Sequence, residues 1–440
     1  MTMATSRDIE HAVVGGVCAG IASRYSYPVR GVRAATVALS VATAGIGGLA
    51  YLALWRKLPT TTDDGSHSTN GASLPATNGA AVATAESHAP PTAAEPEAPS
   101  EVALPFEVPA PPPAVLPPSL GSLYGSVASD LPLVRETIGS VAGGVGFDFL
   151  AKMLEQQLAG TGKMMRPALA LLAGRLGTYD LDRVVPLAAS VELLHTATLV
   201  HDDVIDEADD RRGNDTANSL FGNSASVMLG DYMFANAAEL ITRTDNIQVV
   251  KNFAVTLMMM VRGELNQDVT VFEYSEDVQR YLDRITGKTA SLFATCAEGG
   301  ALVCGAPADQ VEAMRIYGLR LDIAFQIVDD ILDFTGDPVV MGKPAVGSDL
   351  RGGILTLPAI LYMQQEPDDN PIKRAFDGQR RRANLDRAIA EILDGDFIAE
   401  SMTTAHRFGT EARAALAALP PGETRDTLDS LVDYVLDRSS

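Results

Sequence analysis

Two stretches decide the fold: Pro186–Asp203, PLAASVELLHTATLVHDD, and Tyr317–Phe334, YGLRLDIAFQIVDDILDF. In both, apolar residues return every three or four positions, the period of a helix rather than the two-residue alternation of a strand. Each runs into the same signature, Asp-Asp-x-x-Asp: Asp202, Asp203 and Asp206 in HDDVID, then Asp329, Asp330 and Asp333 in VDDILD. On a helix the outer pair of each motif lies within roughly 40° around the axis, so both carboxylates face one way. Like charges at that spacing destabilise an isolated helix. Carboxylates that continue a buried face need a counter-charge, and a hard divalent cation with oxygen ligands supplies one. One such motif alone reads equally well as a solvated acidic helix end. Two, each on the rim of an apolar helix, point to a metal site.

ALALLAGRLG, SASVMLGDYMFANAAELI and NFAVTLMMMVRGELNQ carry the same period, separated by short joints rich in Gly, Pro and Asp. Residues 121–440 therefore read as one all-α domain. No repeat of solenoid length runs through it.

Cations stand around the acidic motifs. GKMMRP places Lys163 and Arg166 one helical turn apart, and Arg211 and Arg212 follow the first Asp motif. Lys288, in TGKTASLF, precedes an apolar helix, and Lys343 follows the second motif. Each alone is an ordinary surface charge; their distribution, in a chain with only 34 Lys and Arg, marks them as candidate phosphate ligands.

GKMMRP, LLHTATLVHDDVIDEADDRRG, GDYMFANA, GELNQ, GKTASLF, FQIVDDILDFTGD and GKPAVGSDLRGGILTLP occur in one order. Over about residues 130–440 that order resembles the trans-polyprenyl diphosphate synthase family, long-chain type. The resemblance implies an isoprenoid synthase helical bundle, usually homodimeric, with the two Asp motifs facing across a cavity. It implies condensation of isopentenyl diphosphate with an allylic diphosphate, farnesyl or geranylgeranyl, head to tail and all-trans.

Residue by residue, the resemblance implies that Asp202 and Asp206 hold two Mg²⁺ ions and Asp329 a third, supported through water by Asp330 and Asp333. Arg211, Lys288 with Thr289, and Lys343 would contact the allylic diphosphate. Lys163, Arg166, His195 and Arg212 would hold isopentenyl diphosphate, and Phe325 and Gln326 would shape the site. His195 and His201 also read as ordinary helix residues, and only His195 is assigned a binding role. Ala197 and Thr198, five and four residues before Asp202, occupy the neighbourhood that sets product length in the family. Small side chains there imply an open channel and about six to ten isoprene units, suited to a quinone side chain. A small residue at Ala197 also suits close helix packing.

Two positions depart from the family pattern: Asp215 stands where Pro is frequent, and Ile354 stands where a peripheral lysine is usual. Terpene cyclases share the fold and first Asp motif, but their second motif is of Asn/Ser/Glu type, unlike DDILD. A catalytically silent prenyl-binding subunit or membrane scaffold is the other competing class. Complete ligand sets in both motifs count against it.

Ahead of this domain the composition changes twice. From Ala34 to Trp55 no charge occurs, between Arg33 and Arg56-Lys57. As a helix that run rises about 33 Å against a hydrocarbon core of roughly 30 Å, and it is read as membrane-spanning in preference to a buried helix. GGVCAGIASRYSYPVRGVR and the closing YLALWRKLP make residues 1–60 resemble the PspC domain, which implies association with the cell membrane. Residues 61–120 hold most of a run of 13 prolines between Pro59 and Pro118 and no Lys or Arg, which predicts a disordered tether. The catalytic domain is expected on the cytoplasmic side.

The formal charge of −22 excludes nucleic acid as a partner, because a polyanion would be repelled. It leaves phosphate substrates open, since carboxylates bind phosphate through a bridging cation. Cys18, Cys296 and Cys304 form neither a metal-ligand spacing nor a disulfide framework.

Overall fold

The structure, a computed structural model, describes residues 122–438 except 160–161, 212–213, 337–344 and 366–369, with backbone alone at 289–290. Ahead of these it describes only the backbone of 7–8 and 60–61. The chain divides into two compact units, Met1–Pro96 and Glu97–Ser440. In the first, Arg7–Asp8 pairs in parallel with Thr60–Thr61. The expected membrane helix at Ala34–Trp55 and the expected tether over 61–120 lie outside the described residues.

The second unit is all-α, as the periodicity predicts. Its helices are α1 (Leu131–Gly143), α2 (Asp148–Leu158), α3 (Met165–Gly174), α4 (Leu181–Ile205), α5 (Ala217–Phe221) and α6 (Asn223–Thr242). There follow α7 (Ile247–Val269), α8 (Val278–Ile285), a π turn at Thr286–Ala290, α9 (Ser291–Val303) and α10 (Ala308–Thr335). The series closes with α11 (Ser348–Arg351), α12 (Leu357–Gln365), α13 (Pro371–Phe376), α14 (Arg381–Asp394), α15 (Phe397–Ala415) and α16 (Glu423–Leu436). A two-residue hairpin, Asp210–Arg211 against Asn214–Asp215, interrupts the series after α4.

Polar caps start the long helices that carry the site. Asp180, in extended backbone, accepts from the Asp182 N–H at 3.0 Å and opens α4. Asn246 caps both Gln248 and Val249 at the start of α7, and Asp277 caps α8 in the same way. Each such cap stabilises by about 1 kcal/mol.

α4 is the axis of the core. Every side chain from Val184 to Leu194 is buried, so the helix is enclosed on all sides, by α1, α3, α6 and α9. It is the one described helix long and apolar enough to cross a membrane, yet most of it is buried by its neighbours. Ser190, the hydroxyl in that run, donates to the Ala237 carbonyl at 2.7 Å and so costs little to bury. α10 is the second axis, packed on α9 and α15. α3 and α9 meet so closely that a Cβ on Gly300 would lie 2.1 Å from the Ala170 carbonyl oxygen. Only glycine fits there, and Gly300→Val would force the two helices apart. Cys296 and Cys304 are buried and free.

Candidate active site

α4 leaves the core at Val200 and ends on the first Asp motif, with Asp206 as its C-cap. The hairpin that follows brings Arg211 Nε to 2.7 Å from Asp203 Oδ1, so the central Asp is tied back to the protein. Asp202 and Asp206 remain facing α7 and the π turn. There Lys288 Nζ sits 2.8 Å from Glu264 Oε2. A Cβ on Gly263 would lie 2.8 Å from the Lys288 amide nitrogen, so a glycine lets α7 approach the π turn closely enough for that pair.

The electrostatics of this rim are lopsided. Burial, then the neighbouring Glu264 and Asp206, push the Asp202 carboxyl up to about 7, against the pull of Lys288 and Arg211. Asp206 and Asp268 are also raised, burial first in each case and Glu264 contributing to both. More carboxylate is gathered here than Lys288 and Arg211 satisfy, which is the condition that favours a cation.

The second motif lies in the last two turns of α10. Asp329 Oδ1 is 2.8 Å from Arg438 Nη1, beyond the end of α16. Tyr281 donates its hydroxyl to Asp330 Oδ2 at 2.7 Å. Asp333 Oδ2 accepts the Asp349 N–H at 3.1 Å, which draws the chain after the motif back against it. Burial, then Asp349, push Asp330 up to about 8, with Tyr281 and Arg284 pulling the other way. Arg284 also donates to the Leu355 carbonyl, beside Ile354. The π turn carrying Lys288 packs against both α7 and α10.

The Lys163–Arg166 turn is locked from outside. Tyr124 donates its hydroxyl to the Lys163 carbonyl, and Met164 takes a left-handed φ of 54° before α3 begins. For a non-glycine residue that conformation is strained and marks a position held by its surroundings. Lys163 is exposed, its Nζ 5.7 Å from the Tyr434 ring centroid. The Arg166 guanidinium lies 4.9 Å over the Phe293 ring, Phe293 is 6.0 Å from Phe325, and Arg438 lies 4.3 Å over Phe325. An aromatic pair is thus covered by two guanidiniums, each favourable against a ring face.

The remaining expected residues fall as follows. His195, Thr198 and Gln326 are half-buried, and Ala197 is fully buried within α4. Thr198 donates to the His195 carbonyl at 2.7 Å. Arg212 and Lys343 lie outside the described residues, as does the side chain of Thr289. His201 packs edge-on against Phe234 and meets the Val227 carbonyl at 3.0 Å, a helix-packing role. Sequence reading missed Glu264, Asp268, Tyr281, Arg284, Asp349 and Arg438 as site residues. Glu264 and Asp268 had a signal, the four-residue spacing of Asp202 and Asp206; the rest are gathered by tertiary packing.

Among the described residues no three acidic, His or Cys groups converge tightly enough to enclose an ion by themselves. The donor set is nonetheless all oxygen, partly buried and short of positive charge, which suits a hard divalent ion whose remaining ligands are water or phosphate.

Residues 147–392 match the Polyprenyl synthetase family, and residues 4–61 match the PspC domain. A prenyl transferase of Synechocystis sp. is 38% identical over 73% of this chain and 99% of its own length. The fold resembles a decaprenyl diphosphate synthase from Rhodobacter capsulatus at a TM-score of 0.68 and 37% identity, over 73% of this chain and 99% of that one. A polyprenyl synthase from Caulobacter crescentus CB15, complexed with calcium and isoprenyl diphosphate, matches at a TM-score of 0.67 and 33% identity, over 73% and 98%. With the order of its motifs and the helical frame that presents them, the chain belongs to the polyprenyl synthetase family, the prenyltransferases that build long-chain trans-polyprenyl diphosphates.

Proposed function

We propose that this enzyme adds isopentenyl diphosphate to a farnesyl or geranylgeranyl diphosphate starter, with Mg²⁺ held by the two acidic helix ends. The observation that carries the reading is the pair of Asp motifs ending the two core helices, each faced by its own cations. The calcium and isoprenyl diphosphate bound to the Caulobacter relative support the same chemistry here.

Asp202 and Asp206 would hold two ions and Asp329 a third, with Asp330 and Asp333 acting through water. When bound, the metal neutralises and polarises the leaving diphosphate. Lys288, Arg211 and Lys343 orient that diphosphate, and the Glu264 contact keeps the Lys288 ammonium in place. The carbon–oxygen bond to diphosphate breaks and leaves an allylic cation. Lys163, Arg166, Arg212 and His195 hold isopentenyl diphosphate so that its alkene attacks that carbon and forms the new carbon–carbon bond. A proton is then lost to the departing diphosphate. Phe325 and Phe293 keep water from the cation.

The growing chain passes Ala197 and Thr198 along α4, and the product reaches about six to ten units. Residues 121–440 form the catalytic domain, residues 61–120 a tether, and residues 1–60 a membrane anchor that keeps catalysis on the cytoplasmic side. The PspC match and the uncharged run at 34–55 support the anchor. A second copy of the chain covers an apolar stripe on α7, where Met258, Val261, Leu265 and Val269 are 63%, 51%, 48% and 77% exposed.

The test is product chromatography. Purified protein, Mg²⁺, farnesyl diphosphate and labelled isopentenyl diphosphate should yield a ladder ending in long polyprenyl diphosphates. Products of only three or four units would contradict the open channel, and no incorporation would contradict the activity.

A further inference from the structure

At the Lys163–Arg166 turn and in the core behind it, two half-buried arginines and two buried acids come from four helices. They are Arg135 on α1, Arg166 on α3, Glu192 on α4 and Asp322 on α10. Asp322 is 0% exposed, and neither of its carboxyl oxygens has a hydrogen-bond partner. Glu192 Oε2 and Arg166 Nε are likewise buried without one. A buried carboxyl in that state destabilises the fold, and an apolar side chain of similar volume would avoid that cost. Such a residue persists where it does something other than stabilise the fold.

Its surroundings indicate what. Burial pushes Asp322 up to about 7, and Arg166 is the one positive group that pulls it back. Glu192 is raised by burial and opposed by both Arg166 and Arg135. Arg166 thus opposes the desolvation of both buried acids. Asp322 precedes Asp329 by seven residues, so it lies on the same face of α10, about 10 Å deeper. Phe325, one turn above Asp322, packs on Phe293, the ring that Arg166 covers.

We propose that Asp322 is a positioning residue for isopentenyl diphosphate binding: its buried carboxyl, one turn below the ring pair that Arg166 covers, favours the guanidinium held in over Phe293 and aimed at the diphosphate. A lone guanidinium on an aromatic face is held weakly and has several donors that water satisfies better. A buried carboxyl below it restricts that freedom before substrate arrives. This rests on the reading of Arg166 as an isopentenyl diphosphate ligand.

The experiment uses the full-length enzyme in four forms: unaltered, Asp322→Asn, Arg166→Lys and the double variant. KM for isopentenyl diphosphate, KM for farnesyl diphosphate and Tm are measured for each. Asp322→Asn should raise KM for isopentenyl diphosphate about tenfold and leave KM for farnesyl diphosphate within twofold, while Tm holds or rises. Arg166→Lys should raise the same KM, and the double variant should be no worse than Arg166→Lys alone. If Arg166→Lys raises that KM and Asp322→Asn does not, the positioning role is overturned while Arg166 stands as a ligand. If Arg166→Lys leaves it unchanged, the ligand reading itself is overturned. A fall in Tm with both KM values moved equally would make Asp322 merely structural. Asp322→Leu carries the same expectations should the Asn variant not fold.

Discussion

Lys288 Nζ lies 2.8 Å from Glu264 Oε2, so the ammonium assigned to the allylic diphosphate is held by α7 before any substrate binds. Charge-assisted hydrogen bonds of this kind are worth about 1.5–3 kcal/mol. Lys288→Ala should therefore lower kcat/KM for the allylic diphosphate by roughly ten- to a hundredfold. Glu264→Gln, which keeps a hydrogen bond and loses the charge, should cost less than Lys288→Ala. Steady-state kinetics with the starter varied measures both. Equal kinetics for Lys288→Ala and the unaltered enzyme would remove Lys288 from the site.

The raised carboxyls link metal binding to pH. Asp202 at about 7 and Asp330 at about 8 retain protons in the metal-free fold that the unfolded chain, near 3.8, has released. The folded state binds more protons across that window, so its stability falls as pH rises from about 4 to 8. Metal ligation needs the ionised forms, so Mg²⁺ should raise Tm more at pH 8 than at pH 6, with protons released on binding. Calorimetry across that range measures the effect. A Mg²⁺-induced shift in Tm independent of pH would show that these two groups are not linked to the metal.

The stripe Met258, Val261, Leu265 and Val269 follows one face of α7 and is about half exposed or more at every position. Paired Met258→Glu and Val261→Glu substitutions should split a dimer without unfolding the protomer, because neither side chain belongs to the core. Light scattering on detergent-solubilised full-length protein should give twice the chain mass for the unaltered enzyme and the chain mass for the variant. A monomeric unaltered enzyme would leave the stripe to another partner.

Ala197 is fully buried on α4, five residues before Asp202. Ala197→Phe puts a ring where the growing chain is expected to pass. The first condensation should persist, and the product should shorten to about three or four units by chromatography. An unchanged product length would route the channel elsewhere.

Long apolar stretches announced α4 and α10, because burial is written along the chain as apolar residues; in α4 every side chain from Val184 to Leu194 is buried. The Asp motifs were legible for the same reason: a charge that ends an apolar face is visible in one dimension. Asp349 and Arg438 were not, since they reach the second motif through a loop and the chain's far end, distances that no local pattern encodes. Asp322 carries no such signal in the sequence, a single acid inside the apolar run of α10. Its place one turn below the ring pair that Arg166 covers arises from the packing of α3 on α9 and of α9 on α10, which spacing along one helix does not predict.

The most direct measurement is the rate of labelled isopentenyl diphosphate incorporation by the unaltered enzyme, Asp202→Ala and Asp329→Ala, with Mg²⁺ and with chelator. Loss of one metal ligand should raise the barrier by several kcal/mol, about a thousandfold in rate, while circular dichroism and Tm show an intact fold. Chelator should bring the unaltered enzyme to the same floor. Near-normal turnover by either folded variant, or turnover unaffected by chelator, would contradict a metal site built from the two Asp motifs.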